Sequence, residues 1–140
     1  MSTDVIVYVL TGLALVVVVL TRLRMGKGQG AGRVYVGTLL LNMHTGAGLL
    51  AIISWVLFLL SSEDSTLGSP LVGIISLAFW WIVTICGLLM LVRWLPSRGR
   101  HSSDGFQDSW SEGPGLSVLA HVGMLVGVCI FTFAYLTSAV

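Results

Sequence analysis

The sequence predicts an all-α membrane protein, a four-transmembrane-helix up-down bundle with both termini on the non-cytoplasmic side. Three observations carry this expectation. Of 140 residues, 56% are hydrophobic and 9% charged, whereas a soluble domain devotes about 25% of its residues to charges that face water. The apolar residues collect into four continuous runs without the in-out alternation of a barrel strand. All seven Lys and Arg fall in, or at the edge of, two of the three connections.

The first helix is expected at about 5–21. No Lys or Arg precedes it in Met1-Ser2-Thr3-Asp4, so it reads as a retained helix and not as a signal peptide, which needs a positive n-region. Its apolar stretch is short, and a snorkelling Arg22 completes the span. The second helix is expected at 34–60, long enough to span with tilt. The third is expected at 70–95, marked by Pro70 in its first turn and Pro96 beyond its end. The fourth is expected at 115–137, after Gly113-Pro114-Gly115. The chain makes one membrane domain, residues 1–140.

Arg22, Arg24, Lys27 and Arg33 lie at the first connection, and Arg93, Arg98 and Arg100 at the third. The second connection holds Glu63 and Asp64 and no base. The positive-inside rule therefore makes 22–33 and 96–114 cytoplasmic loops and sends the termini and the Glu63 loop outward. The setting this implies is the plasma (inner) membrane, crossed several times. Gly26, Gly28, Gly30 and Gly32 alternate in the first loop, but Ala31 breaks GxGxxG and no strand precedes it, so the segment reads as a flexible linker. In the second cytoplasmic loop Phe106 and Trp110 stand at i, i+4 spacing beside Asp104, Asp108 and Glu112. Those acids favour a protein partner or a plain loop over anionic lipid.

Composition excludes several functions. A net charge of +1 gives no basic face for nucleic acid. No Asp, Glu, Lys or Arg lies inside a helix, which removes the intramembrane charge that pumps and proton-coupled carriers use and the paired carboxylates of acid–base catalysis. HExxH and GxSxG are both absent. Cys86 and Cys129 differ in depth by about 10 Å, too far for a disulfide.

His44 and His121 remain. Counted along their helices, both lie a few ångströms to the cytoplasmic side of the membrane centre. Imidazoles at matched depth on two helices suit the axial positions of one b-type haem, with a copper site that draws on Met43, Met90 or Met124 as a further option. Gly48 and Ala51 share the face of His44 and leave room for a flat macrocycle, and Arg22, Arg24 and Arg33 suit its propionates. With its helix count and histidine pair, this layout resembles, in architecture alone, the four-helix b-type cytochrome anchors of respiratory complexes. The competing reading is that each histidine hydrogen-bonds a neighbouring helix.

Two further features suggest contacts. Gly123 and Gly127 form a GxxxG pair, a spacing that lets helix backbones approach closely. Phe79-Trp80-Trp81 places two tryptophans in mid-membrane, one expected inside and one against a partner, a quinone or lipid. The expected function is thus a non-catalytic accessory or anchor subunit of a larger membrane complex, a respiratory one being the leading setting, whose partners are other membrane-protein subunits and lipid. The alternative is a b-type cytochrome anchor passing electrons through a haem on His44 and His121. A small carrier or channel is the weaker alternative.

Overall fold

The computed structural model describes residues 2–26, 38–94 and 114–140. Four helices occupy them: α1 (Thr3–Gly26), α2 (Thr38–Leu60), α3 (Pro70–Trp94) and α4 (Pro114–Leu136), with no strand among the described residues. Three of the four carry segments long and apolar enough to cross a membrane, namely Asn42–Leu60, Pro70–Val92 and Val118–Leu136. In α1 the apolar segment Thr3–Val17 is shorter. The chain thus has the helical character of a membrane protein. Of the connections expected at 22–33 and 96–114, residues 27–33 and 96–113 lie outside the described residues, and with them Lys27, Arg33, Arg98, Arg100, His101, Phe106 and Trp110, whereas 22–26 belong to α1.

The helix boundaries follow local chemistry. The Ser2 carbonyl accepts the first α1 bond, from the Ile6 amide at 3.3 Å, and Asp4 places an acid in the first turn, where the helix dipole favours it. At its other end α1 runs on to Gly26, five residues past the end expected at 21. Loss of apolarity ends a membrane segment but not a helix. Thr21-Arg22-Leu23-Arg24-Met25 contains good helix formers, which carry the helix to Gly26, the last described residue of this segment. Pro70 opens α3 after Ser69, whose carbonyl accepts the Val72 and Gly73 amides at 3.0 and 3.3 Å. Pro114 opens α4 one residue before the expected start. At its C-terminus α4 closes in a Schellman turn: the Ala139 amide bonds to the Ala134 carbonyl at 2.9 Å and the Ser138 amide to Tyr135 at 3.1 Å. Ser138 supplies the left-handed residue, at φ 52°.

Each helix packs on the next in chain order, and α1 also packs on α4. Contacts join the start of one helix to the end of its neighbour, so neighbours run antiparallel. The Tyr8 hydroxyl, near the start of α1, donates to the Leu59 carbonyl near the end of α2 at 3.1 Å. The Tyr135 hydroxyl, near the end of α4, donates to the Pro70 carbonyl at 2.8 Å.

The core is aromatic and lies between the middle of the helices and the end that carries the Glu63 connection. Trp55, Trp80 and Phe131 are all but fully buried. Phe131 stacks on Trp55 at 5.1 Å and on Trp80 at 5.5 Å, and Trp55 leads through Phe58 (5.6 Å) to Tyr135 (5.9 Å). Lipid is as apolar as these side chains, so close packing and interhelical hydrogen bonds hold such a core together. The Trp55 indole donates to the Thr11 hydroxyl at 3.2 Å, and that hydroxyl donates on to the Val7 carbonyl at 2.8 Å. The Trp81 indole likewise donates to Thr132 at 3.2 Å, tying α3 to α4. The Trp80 indole nitrogen is buried and has no acceptor.

Candidate functional site

On α2, Ala47, Gly48, Ala51 and Trp55 are buried, and His44 continues that stripe one turn toward the start of the helix. On α3 the buried stripe is Trp80, Val83, Thr84, Gly87 and Leu91. On α4 it is Val128, Phe131 and Ala134, with His121 two turns before Val128 on the same face. Because the helices alternate in direction, the early residues of α2 and α4 come level with the late residues of α3. His44, His121 and Gly87 all lie about 10 Å from the nearer end of their described helices and about 22–26 Å from the other.

At that level the two imidazoles meet. Their ring centroids are 6.2 Å apart and their planes are inclined at 41°. Both rings are half-buried. Gly87 is the third member of the site. A side-chain carbon built on it would fall 2.5 Å from His121 Cδ2, 3.0 Å from His121 Nε2 and 3.4 Å from His44 Nε2. Such a carbon cannot coexist with the rings where they stand. Both Nε2 atoms therefore converge on one spot against the α3 backbone, and only glycine leaves that spot open.

The donor set suits a metal that two imidazoles satisfy. Two neutral imidazoles supply half the ligands of a tetrahedral zinc but both axial ligands of a haem iron. No third His, Cys, Asp or Glu joins them among the described residues. With metal–nitrogen bonds of about 2 Å, two imidazoles on one iron have their centroids about 6 Å apart, against the 6.2 Å found here. The ring planes are free to twist about the common axis, so a 41° inclination is compatible with shared ligation. The spacing of the rings alone suits a shared iron, but an iron about 2 Å from both Nε2 atoms would stand about 2.5 Å from the carbon position built on Gly87, so the α3 backbone occupies the place of the macrocycle and the site as it stands does not fit a haem.

The other residues named from sequence fall as follows. Gly48 is buried against α3, where an added carbon would meet Val83 Cγ2 at 3.3 Å. It permits close approach of α2 and α3, and the glycine beside both imidazoles is Gly87. Trp80 lies in the core against Phe131, and Trp81 is bonded to Thr132. At Gly123 and Gly127 an added carbon would meet nothing within 4 Å; Gly123 is exposed, whereas Gly127 is buried. Cys86 is buried, Cys129 is exposed, and neither is in a disulfide. The side chains of Arg22 and Arg24, and the whole of Arg33, lie outside the described residues.

Sequence reasoning missed Gly87. Its one local signal is that it interrupts the apolar run Ile82 to Val92, where a helix-interior glycine costs about 1 kcal/mol relative to alanine. Compared with known proteins, the chain matches no family model, no curated protein and no solved structure.

Proposed function

We propose that this chain is a non-catalytic accessory or anchor subunit of a larger membrane complex; the second reading is a b-type haem on His44 and His121, which requires α3 to move away from the pair. What favours the second reading is the approach of the two imidazoles, with ring centroids 6.2 Å apart. When bound, such a haem supplies a one-electron Fe(III)/Fe(II) couple. His44 and His121 would both hold its iron, which favours electron transfer over binding of small ligands. Gly87 keeps the α3 backbone clear of both rings, and the apolar helices around them exclude water. The test is optical. Protein purified from haem-replete cells should show a Soret band and the sharp α band of low-spin six-coordinate iron. Protein with no Soret absorbance despite an adequate haem supply ends this second reading.

The proposed setting is a four-helix up-down bundle in the plasma (inner) membrane, with both termini and the Glu63 connection on the non-cytoplasmic side. Its support is the placement of all seven Lys and Arg at the two other connections. The chain is proposed to work within a larger complex, of the respiratory kind that a one-electron carrier suits. The exposed backbone at Gly123 favours this, because a helix of another subunit can approach there closely. Mild native extraction should bring down a co-migrating partner, and a free 15 kDa species alone would remove the subunit reading.

A further inference from the structure

We infer that His44 and His121 hold a bare Cu(I) ion between their Nε2 atoms, in the space that Gly87 leaves beside α3. This goes beyond the subunit reading and does not depend on it. It gives the histidine pair an occupant that needs no movement of α3.

The geometry suits an ion without a macrocycle. A two-coordinate ion sets its two imidazoles opposite one another, each pointing a ring nitrogen at the metal. With metal–nitrogen bonds of about 2 Å, the ring centroids then stand about 6 Å apart, and those of His44 and His121 stand 6.2 Å apart. A β-carbon built on Gly87 would lie 3.0 Å from His121 Nε2 and 3.4 Å from His44 Nε2. An ion about 2 Å from each nitrogen would stand about 2.5 Å from that carbon position, where glycine presents only hydrogen. A porphyrin spreads from its iron across the line that joins the two nitrogens, and so runs into α3. A bare ion has no such plane.

The donor set then selects the ion. A structural zinc takes four ligands, and no third His, Cys, Asp or Glu joins the pair among the described residues. A divalent ion on two neutral imidazoles would also keep its double charge between apolar helices, where charge is costly. Cu(I) carries one charge, accepts imidazole nitrogen, and is satisfied by two nitrogens in a line. Both rings are half-buried, so the surrounding helices shield the ion from the water that would otherwise complete a larger shell.

The experiment is a competition for copper. The full chain is purified in mild detergent, scanned for Soret absorbance, and titrated without oxygen against Cu(I) held in its coloured bicinchoninate complex. A Cys86→Ser, Cys129→Ser background removes both free thiols, which are soft ligands that compete for Cu(I). In that background the chain should withdraw one copper from the dye. His44→Gln and His121→Gln should each weaken binding by more than about 100-fold, because loss of an outer-shell partner alone costs about 10–100-fold. Gly87→Ala, which puts a carbon against the ion, should weaken it too, whereas Gly123→Ala, on the exposed side of α4, should not. A measurement on the unsubstituted histidines removes any question of misfolded variants. Cu(I) is diamagnetic, so in isotope-labelled chain it should shift the ring-nitrogen resonances of His44 and His121 and leave those of His101 unchanged. A chain that withdraws no copper, copper retained by either glutamine variant or undiminished by Gly87→Ala, or shifts confined to His101 each overturn the inference. A stoichiometric Soret band in the purified chain overturns it in favour of haem. Failure of both haem and copper leaves the subunit reading untouched, since co-extraction of a partner tests that separately.

Discussion

His44 and His121, on helices that are not neighbours in the chain, bring their imidazoles to 6.2 Å from centroid to centroid over the bare α-carbon of Gly87. Each of the three residues depends on the other two. The rings can converge because α3 offers no side chain there, and the glycine is tolerated in a helix interior because something else occupies its place.

The first consequence concerns the ligands singly. On the haem reading, His44→Ala and His121→Ala should each abolish the low-spin six-coordinate spectrum. Either haem is lost or the remaining histidine leaves a five-coordinate iron that binds carbon monoxide, read as a Soret shift on adding the gas. A variant with an unchanged reduced spectrum would exclude that histidine as a ligand.

Gly87→Ala places a carbon 2.5 Å from His121 Cδ2, so a ring or a helix must move. The expected cost is about 1–3 kcal/mol, the usual penalty of overpacking, with a lowered ratio of haem to protein. Gly123→Ala meets nothing within 4 Å and should be neutral or gain up to about 1 kcal/mol of helix propensity. Thermal unfolding in detergent, with absorbance as the second readout, compares the two. Equal stabilities would show that the Gly87 contact has no energetic weight.

Gly123→Ile tests the open face of α4. It should leave the stability of the isolated chain nearly unchanged and abolish co-extraction of a partner, because a branched side chain holds the approaching backbone away. Undiminished co-extraction would place the subunit contact elsewhere.

The two core tryptophans should respond differently to loss of the indole nitrogen. Trp55→Phe breaks the bond to Thr11, whereas Trp80→Phe removes a buried donor that has no acceptor. Both leave a smaller ring, so the comparison isolates the hydrogen bond. Trp55→Phe should be the more destabilising by about 1 kcal/mol. The reverse order, in chemical denaturation of the detergent-solubilised chain, would show that the Trp80 nitrogen has a partner such as a buried water.

Ser138 adopts a left-handed backbone, φ 52°, at the end of α4. A residue with a side chain is strained there by about 1–2 kcal/mol, and glycine is the common choice at this position of a Schellman turn. Ser138→Gly should therefore raise the unfolding midpoint modestly. A lowered midpoint would mean that the serine side chain contributes more than the strain costs.

The sequence by itself determined the helical class, the four segments and the shared depth of the two histidines. Those follow from one-dimensional quantities: the length of an apolar run, the placement of Pro70 and Pro114, and a rise of about 1.5 Å per residue. Boundaries were legible only where a breaker stood. Pro70 and Pro114 mark α3 and α4 to within a residue, whereas α1 outran its apolar segment because Arg22 and Arg24 are good helix formers. Depth does not say which way a ring points. That His44 and His121 face one another, that Gly87 lies between them, that Gly48 serves α2–α3 packing and that Trp80 is enclosed by its own chain were decided by the tertiary structure alone. The physical reason is that a nearly uniform apolar helix carries little periodicity to mark its inner face. In water the polar side of a helix identifies its buried side, but in lipid both sides are apolar, and only the packing of one helix on another distinguishes them.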